Sequence, residues 1–284
     1  MARIDIGGIG ISYDVIGTGE RTIAITPGGR SSMDTPGIRH LAETLAAAGC
    51  RVLIWDRPNT GASDVCFAGE TESIQNADAL AGLVRALDFG PALLVGGSGG
   101  ARDTLLTAIR HPDVVDRLFL LWISGGAIGC TSVAYFYTHD AAFAAATGGM
   151  EAVAALPGWS EQIARNPANR DRILAQDPVA FVATMQRWAG AFLPRDGAPM
   201  PGVTAADLAG IAAPAIVLRS GASDIHHARA TSEAVAALIP SATLAEPPWG
   251  DREWLDRMVA QTRGEGLFAN WPRLAAQILA FAQR

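Results

Sequence analysis

The sequence lacks features that are typical of metal-binding, membrane-spanning and nucleic-acid-binding proteins. It has three cysteines in 284 residues, Cys50, Cys66 and Cys130, and their scattered positions give no metal-binding spacing. We expect them to be reduced and mostly buried thiols. No apolar run approaches the roughly 18 residues of a membrane span. Its 28 acidic residues outnumber 22 basic ones, so the net charge of −6 excludes a basic stripe for nucleic acid.

What the chain does contain is enough apolar material for a large core. Hydrophobic residues make up 49% of it, which predicts one elaborate domain or two small ones, without a notable disordered tail. The first residues enter a strand-like pattern directly and lack the hydrophobic stretch of a secretory signal. We therefore expect a soluble cytoplasmic protein.

One stretch combines a buried strand, a glycine-rich corner and a helix. The apolar run Ala92–Val95 has the length of a strand and no helical period. Beyond the corner, apolar residues recur at helical spacing. Between them, Gly96-Gly97-Ser98-Gly99-Gly100 fits G-x-S-x-G in the strand–turn–helix context that this motif requires. The corner predicts a nucleophilic serine at its tip.

Nucleophilic attack explains the glycines. A serine oxygen that attacks a carbonyl must stand clear of its own backbone, so Gly96 and Gly100 give the chain room to pass close to itself. Gly99 places a backbone N–H beside the serine, and the start of the helix directs positive partial charge towards an oxyanion. The alternatives are a plain connecting turn and a phosphate-binding loop, but no Lys-Ser/Thr follows and G-x-G-x-x-G is not satisfied.

Strands alternate with helices over most of the chain, which predicts an α/β fold with a mostly parallel sheet and helices on both faces. The first two strands flank Gly7-Gly8 and predict an antiparallel hairpin at the sheet edge. The predicted strands are Arg3–Ile6, Ile11–Ile16, Thr22–Thr26, Arg51–Trp55, Ala92–Val95, Leu118–Ser124, Ala215–Arg219 and Ala242–Glu246.

The alternation stops in the middle of the chain. From about Cys130 to Val203 only helical patterns occur, and they are rich in aromatic residues such as Tyr135 and Tyr137. A helical insertion between two sheet strands predicts a lid over the carboxyl edge of the sheet, with an ordinary helical core as the alternative. The expected domains are a first core part at residues 1–126, a lid at residues 127–205 and a second core part at residues 206–284.

Four segments, in this order, resemble the α/β-hydrolase fold superfamily and its serine hydrolase branch. They are Pro27-Gly28-Gly29, Asp56–Ser63, the corner Gly96–Gly100, and Ser220–Asp224. The resemblance covers nearly the whole chain and implies the α/β-hydrolase fold. It does not fix the function, because this fold carries esterases, lactonases, C–C hydrolases and non-hydrolytic members.

The resemblance also implies roles for individual residues. Ser98 matches the nucleophile, and the N–H groups of Gly29 and Gly99 match the oxyanion donors, with the Arg30 amide as an alternative to Gly29. Asp224 matches the carboxylate of the triad. An aspartate that caps an Asx turn is the alternative interpretation of Asp224.

The histidine departs from the superfamily's pattern. After the last strand the superfamily presents Gly-His, whereas this chain has Asp251 there and no histidine after His227. A carboxylate binds a hydroxyl proton weakly at pH 7 unless its pKa is strongly raised. His226 and His227 follow Asp224 closely, so this turn could bring one imidazole to the serine. An exposed His-His pair at the start of a helix is the alternative.

Further candidates for substrate contacts lie in the loops at the same sheet edge. A guanidinium of Arg30, Arg57 or Arg102 could bind a carboxylate, although we expect these arginines to pair with nearby acids such as Asp103. Trp249 lies beside the expected position of the base. It is a candidate wall of the pocket, or else a buried anchor.

Together these residues predict a serine hydrolase that cleaves a small, fairly apolar ester, lactone or activated ketone through an acyl-enzyme. Ser98 attacks the carbonyl, His226 or His227 removes its proton, and Asp224 orients the imidazole. We expect no metal, no cofactor, and no binding to nucleic acid or membranes; the partner is a small-molecule substrate, and a homo-oligomer is an open alternative.

Two other functions suit the same residues. The missing base is compatible with a non-catalytic ligand-binding protein of this fold. A lyase or cyclase could instead use the oxyanion hole to stabilise an enolate, with Asp251 or a histidine moving protons.

Overall fold

The computed structural model describes residues 1–283 and contains one eight-stranded sheet. Its strands are β1 (Ala2–Ile6), β2 (Ile9–Ile16), β3 (Arg21–Thr26), β4 (Cys50–Trp55), β5 (Ala92–Gly97), β6 (Val115–Leu121), β7 (Ala215–Leu218) and β8 (Ala242–Ala245). The strand order is β1-β2-β4-β3-β5-β6-β7-β8. The β1–β2 and β2–β4 pairs are antiparallel, and the other neighbours are parallel. The predicted hairpin and the mostly parallel sheet are therefore confirmed.

Helices cover both faces of this sheet. They are α1 (Ile38–Ala47), α2 (Glu72–Ala86), α3 (Gly99–Arg110), α4 (Gly126–Ala134), α5 (Asp140–Ala154), α6 (Pro157–Arg165), α7 (Ala168–Leu174), α8 (Pro178–Phe192), α9 (Ala205–Ala209), α10 (Arg229–Leu238), α11 (Glu253–Thr262) and α12 (Ala275–Ala282). A π-helical segment, Tyr135–His139, joins α4 to α5. Within residues 1–283, no helix combines the length and hydrophobicity needed to cross a membrane.

An apolar layer covers each face of the sheet. Because the central strands are buried on both faces, their sequences are continuous apolar runs. On one face α2, α3 and α10 pack against Leu94 and Leu120; on the other, α1 and α12 pack against Val95 and Leu121. All six residues of β5 are buried because this strand lies between β3 and β6 and is covered on both faces. The predicted α/β architecture is confirmed.

The segment between β6 and β7 is helical, as predicted, from α4 to α8. Its helices build an apolar cluster of their own around Phe181, Met185 and Trp188, and Val65 and Phe67 from the loop after β4 join this cluster. Below, the helical insertion means residues 126–204.

Two strand ends differ from the prediction for a local reason. β5 continues to Gly97, because Gly96 and Gly97 pair with Leu120 and Leu121 of β6. β6 ends at Leu121 rather than Ser124, because Trp122 adopts a left-handed backbone conformation with φ 51° that an extended strand does not allow. The two strands therefore end side by side, immediately before Ser98 and Trp122.

Candidate active site

Ser98 stands on the strained corner between β5 and α3. Its backbone has φ 56° and ψ −123°, a conformation that ordinary residues rarely adopt, and its carbonyl accepts the first hydrogen bonds of α3. A side chain at Gly96 would collide with the Thr104 hydroxyl, and one at Gly100 would collide with the Thr26 carbonyl. The two outer glycines are therefore needed for this close packing.

His227 reaches this serine directly. Its Nε2 lies 2.9 Å from Ser98 Oγ, and its Nδ1 lies 2.8 Å from Asp224 Oδ2. The three side chains form a continuous hydrogen-bonded chain. Of the two imidazoles left open by the sequence, the one at position 227 is in contact with the serine.

The backbone of the turn after β7 holds this arrangement in place. Asp224 Oδ1 accepts the backbone N–H groups of His226 and His227, at 3.0 and 2.9 Å, so the aspartate is an Asx-turn residue and the partner of the imidazole at once. His227 also forms an isolated parallel bridge with Gly125, just beyond the end of β6. Because β6 neighbours β5 in the sheet, this bridge brings the imidazole to the tip of β5.

Burial and charge set the protonation of the pair. Burial lowers the pKa of His227, against the opposing effect of the Asp224 carboxylate, so its imidazole is neutral at pH 7. Burial alone would raise the pKa of Asp224, but the hydrogen bonds from the ring and the backbone of His227, together with the charge of Arg257, lower it. A neutral imidazole oriented by an ionised carboxylate can accept a proton from a hydroxyl.

Two residues that sequence reasoning missed complete the surroundings of this pair. The ring of Trp122 stacks on His227 at 6.3 Å between centroids, and the Arg257 guanidinium lies 4.1 Å from the Trp122 ring. Arg257 Nη2 is 3.5 Å from Asp224 Oδ2, and its Nε donates to Glu253 at 3.0 Å. The only signal in the sequence was the i, i+4 spacing of Glu253 and Arg257 on one helix.

Gly29 and Gly99, whose amides are the predicted oxyanion donors, lie close together beside the serine. A methyl group built on Gly99 would lie 3.6 Å from the Gly29 nitrogen, so the two residues face a common space. Arg57 donates to the Gly29 carbonyl and thereby fixes the peptide that links Gly29 to Arg30. In a trans peptide the N–H points opposite to the carbonyl, so the Arg30 amide points away from Arg57.

Two cavities of different character meet at Ser98. The larger, about 350 Å³, is predominantly apolar and is lined by side chains that include Trp122, Val133, Phe136 and Phe268. The smaller has room for about one water molecule, about 20 Å³, and is lined by polar and charged side chains that include Arg57, Asn76, Arg102 and Asp103.

Several of the predicted residues lie elsewhere. The His226 ring lines the larger cavity and contacts Trp254, 5.9 Å between centroids, rather than Ser98. Trp249 packs on Trp122 at 5.8 Å, and the Asp251 carboxylate pairs with Arg229. The loop after β8 thus supplies neither a base nor a wall of the cavity, because the turn after β7 occupies the position next to the serine.

The three arginines are held by the protein itself. Arg57 pairs with Asp103 at 3.0 Å, as expected, and this ion pair is fully buried. Arg30 pairs instead with Glu72 at 2.6 Å, and Arg102 donates from Nε to the Ser73 hydroxyl at 2.9 Å. The Arg30 side chain is therefore engaged with α2, not with the space beside Ser98.

Two curated relatives match part of the chain. A 2-hydroxy-6-oxononadienedioate/2-hydroxy-6-oxononatrienedioate hydrolase of Burkholderia vietnamiensis is 32% identical over 120 residues, which are 42% of this chain and 41% of that protein. A 2-hydroxy-6-oxo-6-phenylhexa-2,4-dienoate hydrolase of Comamonas testosteroni is 31% identical over 125 residues, 44% of each chain. This chain thus matches less than half the length of these relatives. No protein-family model matches it.

Solved structures match nearly the whole chain. An N-acyl homoserine lactone degrading enzyme, Est816, superposes with a TM-score of 0.62 at 20% identity, over 99% of this chain and all of that one. The enol-lactonase of Burkholderia xenovorans LB400 gives a TM-score of 0.58 at 22% identity, over 93% and 97% of the two chains. At these identities the similarity establishes the fold.

Proposed function

We propose that this chain, which has the α/β-hydrolase fold, is a serine hydrolase that cleaves a small, fairly apolar ester, lactone or activated ketone. In this proposal Ser98 attacks the carbonyl carbon while His227 takes its proton, and Asp224 orients the imidazole and stabilises its charged form. The amides of Gly29 and Gly99 donate to the oxyanion. The tetrahedral intermediate then collapses: the bond to the leaving group breaks, and the protonated His227 gives its proton to that group. Water hydrolyses the acyl-enzyme, with the neutral His227 again acting as the base.

The observation that carries this proposal is the 2.9 Å contact between His227 Nε2 and Ser98 Oγ. A serine hydroxyl is a weak nucleophile unless a neighbouring base accepts its proton. We assign the role of that base to His227, from the turn after β7, in a chain that lacks the histidine expected after the last strand. It also removes the main reason to regard the protein as a non-catalytic binder.

The substrate class follows from the larger cavity. Its lining is mostly aromatic and aliphatic, and about 350 Å³ suits a small molecule rather than a polymer. The relatives are named as hydrolases of 2-hydroxy-6-oxo compounds and a structural neighbour as an enol-lactonase, and both substrate types contain a carbonyl carbon that a serine can attack. Val133 and Phe136, which line the cavity, belong to the helical insertion, and we assign the insertion the role of a lid.

An enolate-stabilising lyase or cyclase would form no acyl-enzyme, but it would use the same anion site, by which we mean the proposed space served by the amides of Gly29 and Gly99. Asp251, one proton shuttle considered for it, pairs with Arg229 on the surface. We therefore prefer hydrolysis.

The test is covalent labelling followed by turnover. A fluorophosphonate should add to Ser98 in the wild-type protein, as detected by intact-protein and peptide mass spectrometry, and should not add to Ser98→Ala. Small esters and lactones should be hydrolysed with one solvent ¹⁸O in the acid product. Turnover without ¹⁸O uptake would indicate the lyase or cyclase, and an unreactive Ser98 would contradict the hydrolase.

A further inference from the structure

The phenol of Tyr137 lies beside Gly99, next to Ser98, although Tyr137 comes from the helical insertion rather than from the sheet core. A methyl group built on Gly99 would lie 2.5 Å from Tyr137 Oη, 3.6 Å from Arg57 Nη1 and 3.6 Å from the Gly29 nitrogen. The phenol oxygen, Arg57 and the Gly29 nitrogen therefore border one small space at Gly99, beside Ser98, and Arg57 is already paired there with Asp103. Both cavities at the serine are lined by Tyr137.

Local structure explains why this one aromatic side chain points inward. Tyr137 belongs to the π-helical segment Tyr135–His139, and such segments change the direction in which successive side chains project. Tyr135 and Phe136 are 58% and 59% exposed, whereas Tyr137 is 8% exposed. Its ring stacks face to face on Phe192 with centroids 5.2 Å apart.

The insertion is also tied to the sheet core at this residue. Arg30 Nη2 donates to the Tyr137 carbonyl at 3.1 Å, and the Arg30 guanidinium lies 5.4 Å from the Tyr137 ring. Arg30 is the residue after Gly29, so its side chain connects the loop that carries the Gly29 amide to the backbone of Tyr137. The hydroxyl is thus held in place before substrate binds.

We propose that the Tyr137 hydroxyl is a third donor to the oxyanion, added by the insertion to the backbone amides of Gly29 and Gly99. The inference rests on the proposed acyl transfer at Ser98. The phenol donates a hydrogen bond to the oxygen that becomes negative and keeps its proton throughout. Burial raises the pKa of Tyr137, which keeps the phenol protonated and able to donate.

The test compares Tyr137→Phe with Tyr135→Phe, a matched control on the same segment whose ring is exposed and stacks on His139. The Tyr137→Phe change removes only the hydroxyl and keeps the ring that packs on Phe192. We expect kcat to fall about 10²-fold while KM changes little, because one donor that acts in the transition state is lost. Tyr135→Phe should retain wild-type kcat.

A second measurement separates this role from a structural one. A trifluoromethyl ketone that adds reversibly to Ser98 forms a tetrahedral oxyanion, so its inhibition constant should rise with the loss of kcat, while the product acid should bind as before. Rates are expressed per Ser98 labelled by fluorophosphonate, which corrects for any misfolded fraction.

Each outcome decides between the two proposals. If wild-type Ser98 does not label, the proposed function fails and the oxyanion role of Tyr137 fails with it. If the wild type labels and turns over but Tyr137→Phe keeps its kcat and its affinity for the ketone, only the Tyr137 proposal is wrong. A faster Tyr137→Phe would mean that the hydroxyl obstructs the anion site, which would also overturn it.

Discussion

The adjacent histidines allow one substitution to be tested against another of the same kind. His227→Ala removes the imidazole that lies 2.9 Å from Ser98 Oγ, whereas His226→Ala removes a ring that lines the apolar cavity. Both variants keep the backbone N–H groups that donate to Asp224 Oδ1, so the turn itself is conserved. The comparison therefore isolates the imidazole as a base.

The expected magnitudes differ widely. Without the base, the serine must lose its proton unaided, and we expect kcat to fall about 10⁴- to 10⁶-fold, or roughly 5–8 kcal/mol in activation free energy. His226→Ala loses packing in the cavity and should change kcat/KM by less than about tenfold, or about 1.4 kcal/mol. Stability should fall in His227→Ala by about 1–3 kcal/mol, because Asp224 loses one hydrogen-bond donor.

The assay is initial-rate hydrolysis of a small chromogenic ester, with the fold checked by circular dichroism and thermal unfolding. Fluorophosphonate labelling should slow in parallel in His227→Ala, since the same base activates Ser98 for the label. A His227→Ala variant within tenfold of wild-type activity, or a larger loss in His226→Ala, would refute the assignment of the base.

Three further predictions follow from the buried groups. Burial holds the pKa of His227 below its usual value of about 6.5, and the base must be neutral, so the fall of kcat/KM towards acid pH should have its midpoint below pH 6.5; a midpoint above 6.5 in the pH–rate profile would contradict this. Asp103→Asn leaves the buried Arg57 without its counter-charge and should lower the free energy of unfolding in urea by about 3–5 kcal/mol. The control Asp78→Asn, whose ion pair with Arg110 is exposed, should lower it by less than about 1 kcal/mol, and equal losses would disprove the distinction. Gly100→Ala places a methyl group against the Thr26 carbonyl and should lower both the midpoint of thermal unfolding and the fluorophosphonate labelling of Ser98. Gly158→Ala, whose added methyl group meets only open space, should lower neither.

Local sequence was sufficient for the parts of the site that one segment encodes. The run Ala92–Val95, the glycines around Ser98 and the apolar spacing of the following helix depend on neighbours within a few residues. The same holds for Asp224 and the two histidines after it, since an Asx turn is a local hydrogen-bonded structure. These features therefore predicted the fold, the corner and the unusual origin of the imidazole.

Other contacts depend on residues far apart in the chain. Trp122 lies under His227 only because β6 ends early, and Arg257 reaches Asp224 from a helix that follows β8. Trp249 occupies the position expected for a pocket residue, yet it packs on Trp122 and lies outside the cavity. Sequence spacing does not report distances between remote residues, so the contacts of Trp122 and Arg257 were not foreseen. For Trp249 the sequence left a pocket wall and a packing anchor open, and the structure shows packing.

The sequence by itself determined the α/β alternation, the strained serine and the order of acid and imidazole, because each follows from the conformational preferences of adjacent residues. Only the tertiary structure decided which of the two histidines contacts Ser98, since the bridge between Gly125 and His227 sets the direction of the turn. It also decided which ring of the insertion lies beside Gly99. Side-chain direction in turns and π-helical segments is fixed by packing against distant elements, and that information is not present in any single stretch of the chain.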